Sequence, residues 1–313
     1  MSAKATRDAY GEWLVETGAK NRDIVVVDAD LAESTKTIMF AKAYPDRFFD
    51  TGAAEQNLVD IAAGLSLGGK RAFASSFAYF LTGRAWDQIR NIVAHDRLNV
   101  CLVASHGGLS AAADGASHLA LQDVALMRVV PNMRIVVPVD AEETKWALDA
   151  ALEAGGPFYL RLRRDKEPIL PKPYRFALGK IETMMDGHDV TIAAFGPMVD
   201  ASMKAAELLR VKGIGARVLN VHTVKPFDTA TLIEAAKDTG AVVTVEDHSV
   251  IGGLGGAVAE CLAESHPVPV KRVGADDSLG GSSRSVDPFL KEFGLTPEAI
   301  SSAAESVIQK RRS

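Results

Sequence analysis

Two cysteines in 313 residues, Cys101 and Cys261, are too few for a disulfide framework. They lie far apart in apolar stretches and read as reduced core thiols, not as half of a metal site. No apolar run approaches the roughly 20 residues needed to cross a bilayer. The first residues, Met-Ser-Ala-Lys-Ala-Thr-Arg, lack the apolar core of a signal peptide. A surplus of basic residues is missing too: the net charge is -5, and Lys and Arg are scattered apart from short clusters such as Arg161-Leu162-Arg163-Arg164. That excludes a nucleic-acid groove. Low-complexity segments and internal repeats are also absent. These absences predict a cytoplasmic globular protein with no membrane or nucleic-acid partner.

What is present is enough apolar material for two cores, 47% hydrophobic against 24% charged residues. Short β-branched runs at 23–28, 47–50, 71–75, 99–104, 134–138 and 158–162 alternate with helical patterns such as 55–67 and 81–94. The near-continuous Val/Ile/Leu character of the strand candidates fits a parallel sheet buried on both faces. Three prolines in Glu167-Pro168-Ile169-Leu170-Pro171-Lys172-Pro173 forbid a helix or a central strand. A second α/β set follows, with strands predicted at 189–195, 216–221, 241–246 and 268–273 and a closing helix that Thr296 caps. The expected architecture is α/β with two doubly wound domains: residues 1–167, a linker at 168–184, and residues 185–313.

Three polar segments interrupt the first domain. Thr51-Gly52-Ala53-Ala54-Glu55-Gln56-Asn57 sets one carboxylate at the start of an apolar helix. An acid there gains about 0.3–1 kcal/mol from the helix dipole, which is one sufficient explanation. The other is catalytic: a carboxylate in a partly desolvated pocket can bond a ring nitrogen of an aminopyrimidine and control its proton. Ser75-Ser76-Phe77-Ala78-Tyr79-Phe80 enters a helix, and its aromatics suit either a core or a ring-binding wall. His106 and His118 flank Gly107-Gly108-Leu109-Ser110-Ala111-Ala112-Ala113-Asp114-Gly115, a loop too rich in small residues to pack itself, predicted at the carboxyl end of the sheet where α/β proteins bind ligands. Ser34 reads equally as the cap of a helix over 35–43.

Thr51–Asn57, Ser76–Phe80 with Gly83-Arg84-Ala85-Trp86-Asp87-Gln88-Ile89-Arg90, Ser105-His106, Asp114–His118, Val129–Met133 and Val245–Gly256 occur in the order seen in transketolases. Over essentially its full length the chain resembles the C-terminal subunit of a split, thiamine-diphosphate-dependent transketolase. The resemblance implies a pyrimidine-binding domain followed by a transketolase C-terminal-like domain. It gives Glu55 the role of the carboxylate facing the aminopyrimidine, with Phe77 and Phe80 as the aromatic wall and Asp30 and Leu31 near the thiazolium. Arg7, Ser34, His106 and Arg164 match the sugar-phosphate ligands, although Arg161 and Arg163 compete with Arg164. Asp114 matches a sugar-hydroxyl contact, and His118 a histidine beside both aminopyrimidine and substrate, catalytic together with Glu55. Two departures stand out: many transketolases have a third aromatic where Gly83 stands, and most have an acid where Ala113 stands.

The diphosphate half of the cofactor needs oxygen ligands on a divalent cation. Its Gly-Asp-Gly and trailing Asn are absent: Met185-Asp186-Gly187 and Ala113-Asp114-Gly115 lack the leading glycine. The expectation is therefore a partner subunit carrying the diphosphate domain and Mg2+ or Ca2+, in an α2β2 enzyme that transfers a two-carbon ketol unit between sugar phosphates. A β subunit of a 2-oxoacid dehydrogenase and a non-catalytic stabilising partner are the alternatives. The glycines of Val245–Gly256 suggest a nucleotide site, but their order is not Gly-x-Gly-x-x-Gly. Similar stretches in split transketolases and 2-oxoacid dehydrogenase β subunits imply packing and assembly, and His222 and His248 then read as structural or interfacial.

Overall fold

The apolar runs Ile24–Asp28 and Val100–Ser105 are buried at every residue, as strands covered on both faces must be. The computed structural model, which describes residues 2–312, places them in a seven-stranded sheet. Its order is Thr223–Lys225, Arg134–Val136, Phe158–Arg161, Val100–Ser105, Arg71–Phe77, Ile24–Asp28 and Phe48–Asp50. All neighbours are parallel except Thr223–Lys225, which arrives from the second half of the chain and pairs antiparallel. Asp28 lies opposite both Asp50 and Ser75, and Phe77 opposite Ser105. The carboxyl ends of these strands thus finish along one edge.

The second sheet has the order Val270–Ala275, Val242–Ser249, Val190–Ala194, Ala216–Asn220, Glu182–Met185, with only the last antiparallel. The fold is the two-domain α/β arrangement that the alternation predicts. The proline-rich stretch is partly ordered: Lys166–Pro168 pairs antiparallel with Ala3–Ala5, and residues 169–181 have neither helix nor strand. Among the described residues no helix is long and apolar enough to cross a membrane.

Two expected helices differ in the structure. The one predicted over 35–43 is split into Ala32–Thr35 and Ile38–Ala43, with Lys36 left-handed at φ 72° between them. The hydroxyls of Thr35 and Thr37 both donate to Asp28 Oδ2, at 2.7 and 2.8 Å. Residues two apart face opposite sides of a continuous helix, so both reach one carboxylate only if the helix breaks. Ser34 is accordingly inside the first short helix and is not a cap. The pattern over 81–94 becomes Ala78–Arg84, Trp86–Gln88 and a π-helical Ile89–Ala94, with Ile89 and Val93 still buried. The closing helix Pro297–Arg312 begins as predicted, the Ala299 N–H donating to Thr296 Oγ1 at 3.3 Å.

Candidate active site

All but one of the candidate residues follow a parallel strand of the first sheet at its carboxyl edge. Asp30, Leu31 and Ser34 come after Ile24–Asp28, Glu55 after Phe48–Asp50, and Phe77 and Phe80 at and after the end of Arg71–Phe77. His106, Asp114 and His118 follow Val100–Ser105, and Arg164 follows Phe158–Arg161. Arg7 reaches the same edge another way. It lies in the first turn of helix Thr6–Lys20, which Ala3–Ala5 anchors beside Lys166–Pro168.

Glu55, the first residue of helix Glu55–Leu67, is only 3% exposed. Its Oε1 accepts a long bond from the Ser76 hydroxyl (3.4 Å), and its Oε2 accepts from Arg84 Nη1 at 3.1 Å. The Arg84 guanidinium also lies over the Phe80 ring, 4.3 Å from its centroid. Phe80 stacks near Phe77 at 5.9 Å and 17°, and the His118 imidazole meets Phe80 edge-on at 5.0 Å. The carboxylate is therefore linked through Arg84 to an aromatic wall, with His118 beside Phe80. A Cβ at Gly83 would meet nothing within 4 Å, so the missing third aromatic leaves open space.

A cationic cluster adjoins this wall. His106 is left-handed at φ 60°, a conformation that costs a non-glycine residue about 1–2 kcal/mol. The turn lays its ring on Phe77, with centroids 3.8 Å apart, and its Nδ1 pairs with the Ser105 hydroxyl at 2.9 Å. Burial, reinforced by Arg7, Arg164 and His118, depresses the His106 pKa to about 3, so the ring is neutral near neutral pH. Arg7 Nη1 donates to the Ser34 carbonyl at 2.9 Å and approaches His106 Nε2 at 3.5 Å, while its buried Nε has no partner among the described residues. Burial pulls the Arg7 pKa down as well, with Arg164 adding to the effect. Arg164 pairs with Asp114 at 3.2 Å. The structure thus brings together Glu55, Phe77, Phe80, His118, His106, Arg7, Arg164, Asp114 and the Ser34 backbone. It does not bring in Asp30 and Leu31 as polar groups: their N–H groups bond Asp50 and Asp28, and Asp30 is exposed.

The competition among the three arginines is resolved by burial. Arg161 is fully buried and binds Asp123 at 2.8 Å and Asp247 at 2.7 Å. Arg163 is held by Asp247 and Glu167. Only Arg164 remains half-exposed beside Asp114. This buried network also explains the glycines behind His106. A Cβ at Gly107 would sit 2.6 Å from Arg161 Cγ, and one at Gly108 would run into the Asp247 carboxylate. The small-residue loop, too small to pack on itself, buries Leu109, Ala111 and Ala112 in the core of the second domain. Small side chains here permit close approach between domains, which composition does not distinguish from flexibility.

Ser76 and Arg84 lie in stretches that the sequence singled out but were given no role there, and neither were Asp123 and Asp247. The last two are acids near strand or helix ends whose cationic partners are distant in sequence, so no local spacing marks them. The glycine-rich turn after Val242–Ser249 has its helix N-terminus already filled. Glu246 accepts from the N–H groups of Leu254 and Gly255 at 2.7 and 2.8 Å, which leaves no place there for a nucleotide phosphate. His248 and His222 are both fully buried; His248 accepts from the Ala125 N–H, and His222 packs 4.3 Å from Phe176.

Comparison with known proteins identifies the family of both domains. The family described as transketolase, pyrimidine binding domain, matches residues 2–168, and that of the transketolase C-terminal domain matches residues 179–300. The 6-deoxy-6-sulfo-D-fructose transketolase subunit SqwH of Clostridium sp. is 44% identical, over 97% of this chain and 95% of its own length. One of the subunits of the apulose-4-phosphate transketolase of Phocaeicola vulgatus is 37% identical, over 98% of each chain. Among solved structures, a split gene transketolase described as an inactive beta4 tetramer superposes with a TM-score of 0.91 at 48% identity, over 98% of this chain and 99% of that one.

Proposed function

The chain belongs to the transketolase family, and from that premise we propose that it is one subunit of a two-chain enzyme. That enzyme transfers a two-carbon ketol unit between sugar phosphates with thiamine diphosphate, and the partner subunit contributes the diphosphate domain and its Mg2+ or Ca2+. The observation that carries the reading is a 3%-exposed carboxylate, Glu55, joined through Arg84 to the aromatic wall of Phe80, Phe77 and His118. An aminopyrimidine fits there: a flat ring needs aromatic faces, and its ring nitrogen needs a carboxylate whose remaining lone pairs are free.

When bound, thiamine diphosphate supplies the electron sink for breaking and remaking the carbon–carbon bond. The buried Glu55 carboxylate would accept a hydrogen bond from the ring nitrogen and so hold the proton at that atom. Phe77 and Phe80 fix the plane of the ring. His118 and Asp114 orient the sugar, His118 from a position beside the ring. Arg7, Arg164 and the neutral His106 clamp the phosphate, Arg through its planar fork. The unpaired buried Nε of Arg7 supports this, since a buried donor without an acceptor calls for one. Asp30 and Leu31, at the end of the neighbouring strand, are assigned to the thiazolium side by family likeness alone.

An assembly of two copies of each subunit is the arrangement we favour. A related chain alone is described as an inactive beta4 tetramer, which suits a subunit that needs its partner. The relatives are named for a sulfonated sugar and for apulose phosphate, so a modified sugar belongs among the substrates to be tried. The test is reconstitution with the diphosphate-domain subunit, followed by ketol transfer with Glu55→Ala. Loss of at least about a hundredfold in kcat is expected for removal of a proton-controlling group. Undiminished turnover would identify the chain as a non-catalytic stabilising partner instead.

A further inference from the structure

We propose that Arg84 is a latch that occupies the place of the aminopyrimidine and must leave when the coenzyme binds. The inference rests on the reading of Glu55 given above. The Arg84 guanidinium is a flat cation that makes the two contacts such a ring would make. It stacks on Phe80 at 4.3 Å and donates to Glu55 Oε2 at 3.1 Å.

The pairing has a clear electrostatic reason within the chain itself. Glu55 has otherwise only the 3.4 Å bond from Ser76, and a buried carboxylate without a counter-ion is strongly unfavourable. Arg84 removes that penalty with charge and with a face for the aromatic ring. Yet the same contact is incompatible with proton control. A guanidinium keeps its proton at any accessible pH, so it stabilises the ionised carboxylate and exchanges nothing with it.

Arg84 is also built to withdraw. Its side chain is 55% exposed although its partner is buried. It is the last residue of helix Ala78–Arg84, and the neighbouring Gly83 has open space around it. Swinging the guanidinium into water breaks no helix hydrogen bond and moves no core residue. Coenzyme affinity is therefore set by a competition, and the subunit stays folded and its acid silent until the pyrimidine arrives.

Two measurements test this. In the isolated chain, denaturation of Arg84→Met, Glu55→Gln and the double variant forms a cycle. Arg84→Met should destabilise the chain when Glu55 is present and have little effect beside Glu55→Gln. An Arg84 effect that ignores residue 55 would overturn the pairing. In the complex with the partner subunit, titration with thiamine diphosphate followed by intrinsic fluorescence should show Arg84→Met binding about three- to tenfold more tightly than wild type. Arg84→Lys, which keeps the charge without the flat fork, should fall between them. Unchanged or weaker binding by Arg84→Met overturns the latch alone, because Arg84 would then be a bystander or a coenzyme ligand. A wild-type complex that binds no thiamine diphosphate overturns the reading beneath it.

Discussion

At the scale of single residues, His106 combines a left-handed backbone, a ring on Phe77 and two arginines nearby. Its pKa falls from 6.5 to about 3, chiefly through burial. The unfolded chain therefore takes up this proton first as pH drops. The contribution of His106 to stability is complete above pH 6.5 and is lost as pH falls toward about 3. His106→Asn keeps a residue tolerant of φ > 0 and removes the titration. It should flatten acid destabilisation in that window by on the order of 5 kcal/mol, measured by denaturant melts across pH. Residues of this class were legible in the sequence because a small-residue loop after a buried strand marks a ligand edge. Arg84 was not, since nothing along the chain says that it turns back to Glu55.

At the scale of elements, the linker and the helix Ala141–Ala154 are joined by a buried acid. Glu143 accepts from the Val139 N–H at 2.6 Å, from the Tyr174 hydroxyl at 2.6 Å and from Asn220 Nδ2 at 3.0 Å. It thereby ties a helix of the first domain, the linker and a strand of the second. Burial raises its pKa from 4.5 to about 7. In this case the folded state holds the proton longer, so stability is highest below pH 4.5 and declines as pH rises to about 7. This opposes the trend from His106. Glu143→Gln should remove that decline, and a profile unchanged between pH 4.5 and about 7 would place the titration elsewhere. The three prolines foretold the absence of a helix here. They said nothing about Tyr174 or Lys172, whose Nζ lies 2.6 Å from Asp140.

At the scale of the whole molecule, the domains are held by more than apolar contact. Asp247 of the second domain binds Arg161 and Arg163 of the first, and Arg161 also holds Asp123, which accepts from the Tyr159 hydroxyl at 2.6 Å. Strand Thr223–Lys225 extends the first sheet, and Lys225 Nζ caps the carbonyls of Arg128 and Val130. Removing one partner of a buried ion pair leaves an uncompensated charge, so Asp247→Asn should cost about 3–5 kcal/mol. Calorimetry should show the two domains losing their joint transition. The same change should loosen Gly107 and Gly108, which pack on Arg161 and Asp247, and with them the mount of His106.

The amino-acid sequence alone determined the alternation of strands and helices, the parallel sheets, and the order of the polar segments at one sheet edge. These follow from local periodicity and from strands that must be buried on both faces. Only the tertiary structure decided which arginine stays near the surface, where the helix after Leu31 breaks, and that Arg84 closes on Glu55. Each of those depends on charges meeting across long stretches of chain in a place with little water, where pairing is strong and no spacing rule announces it.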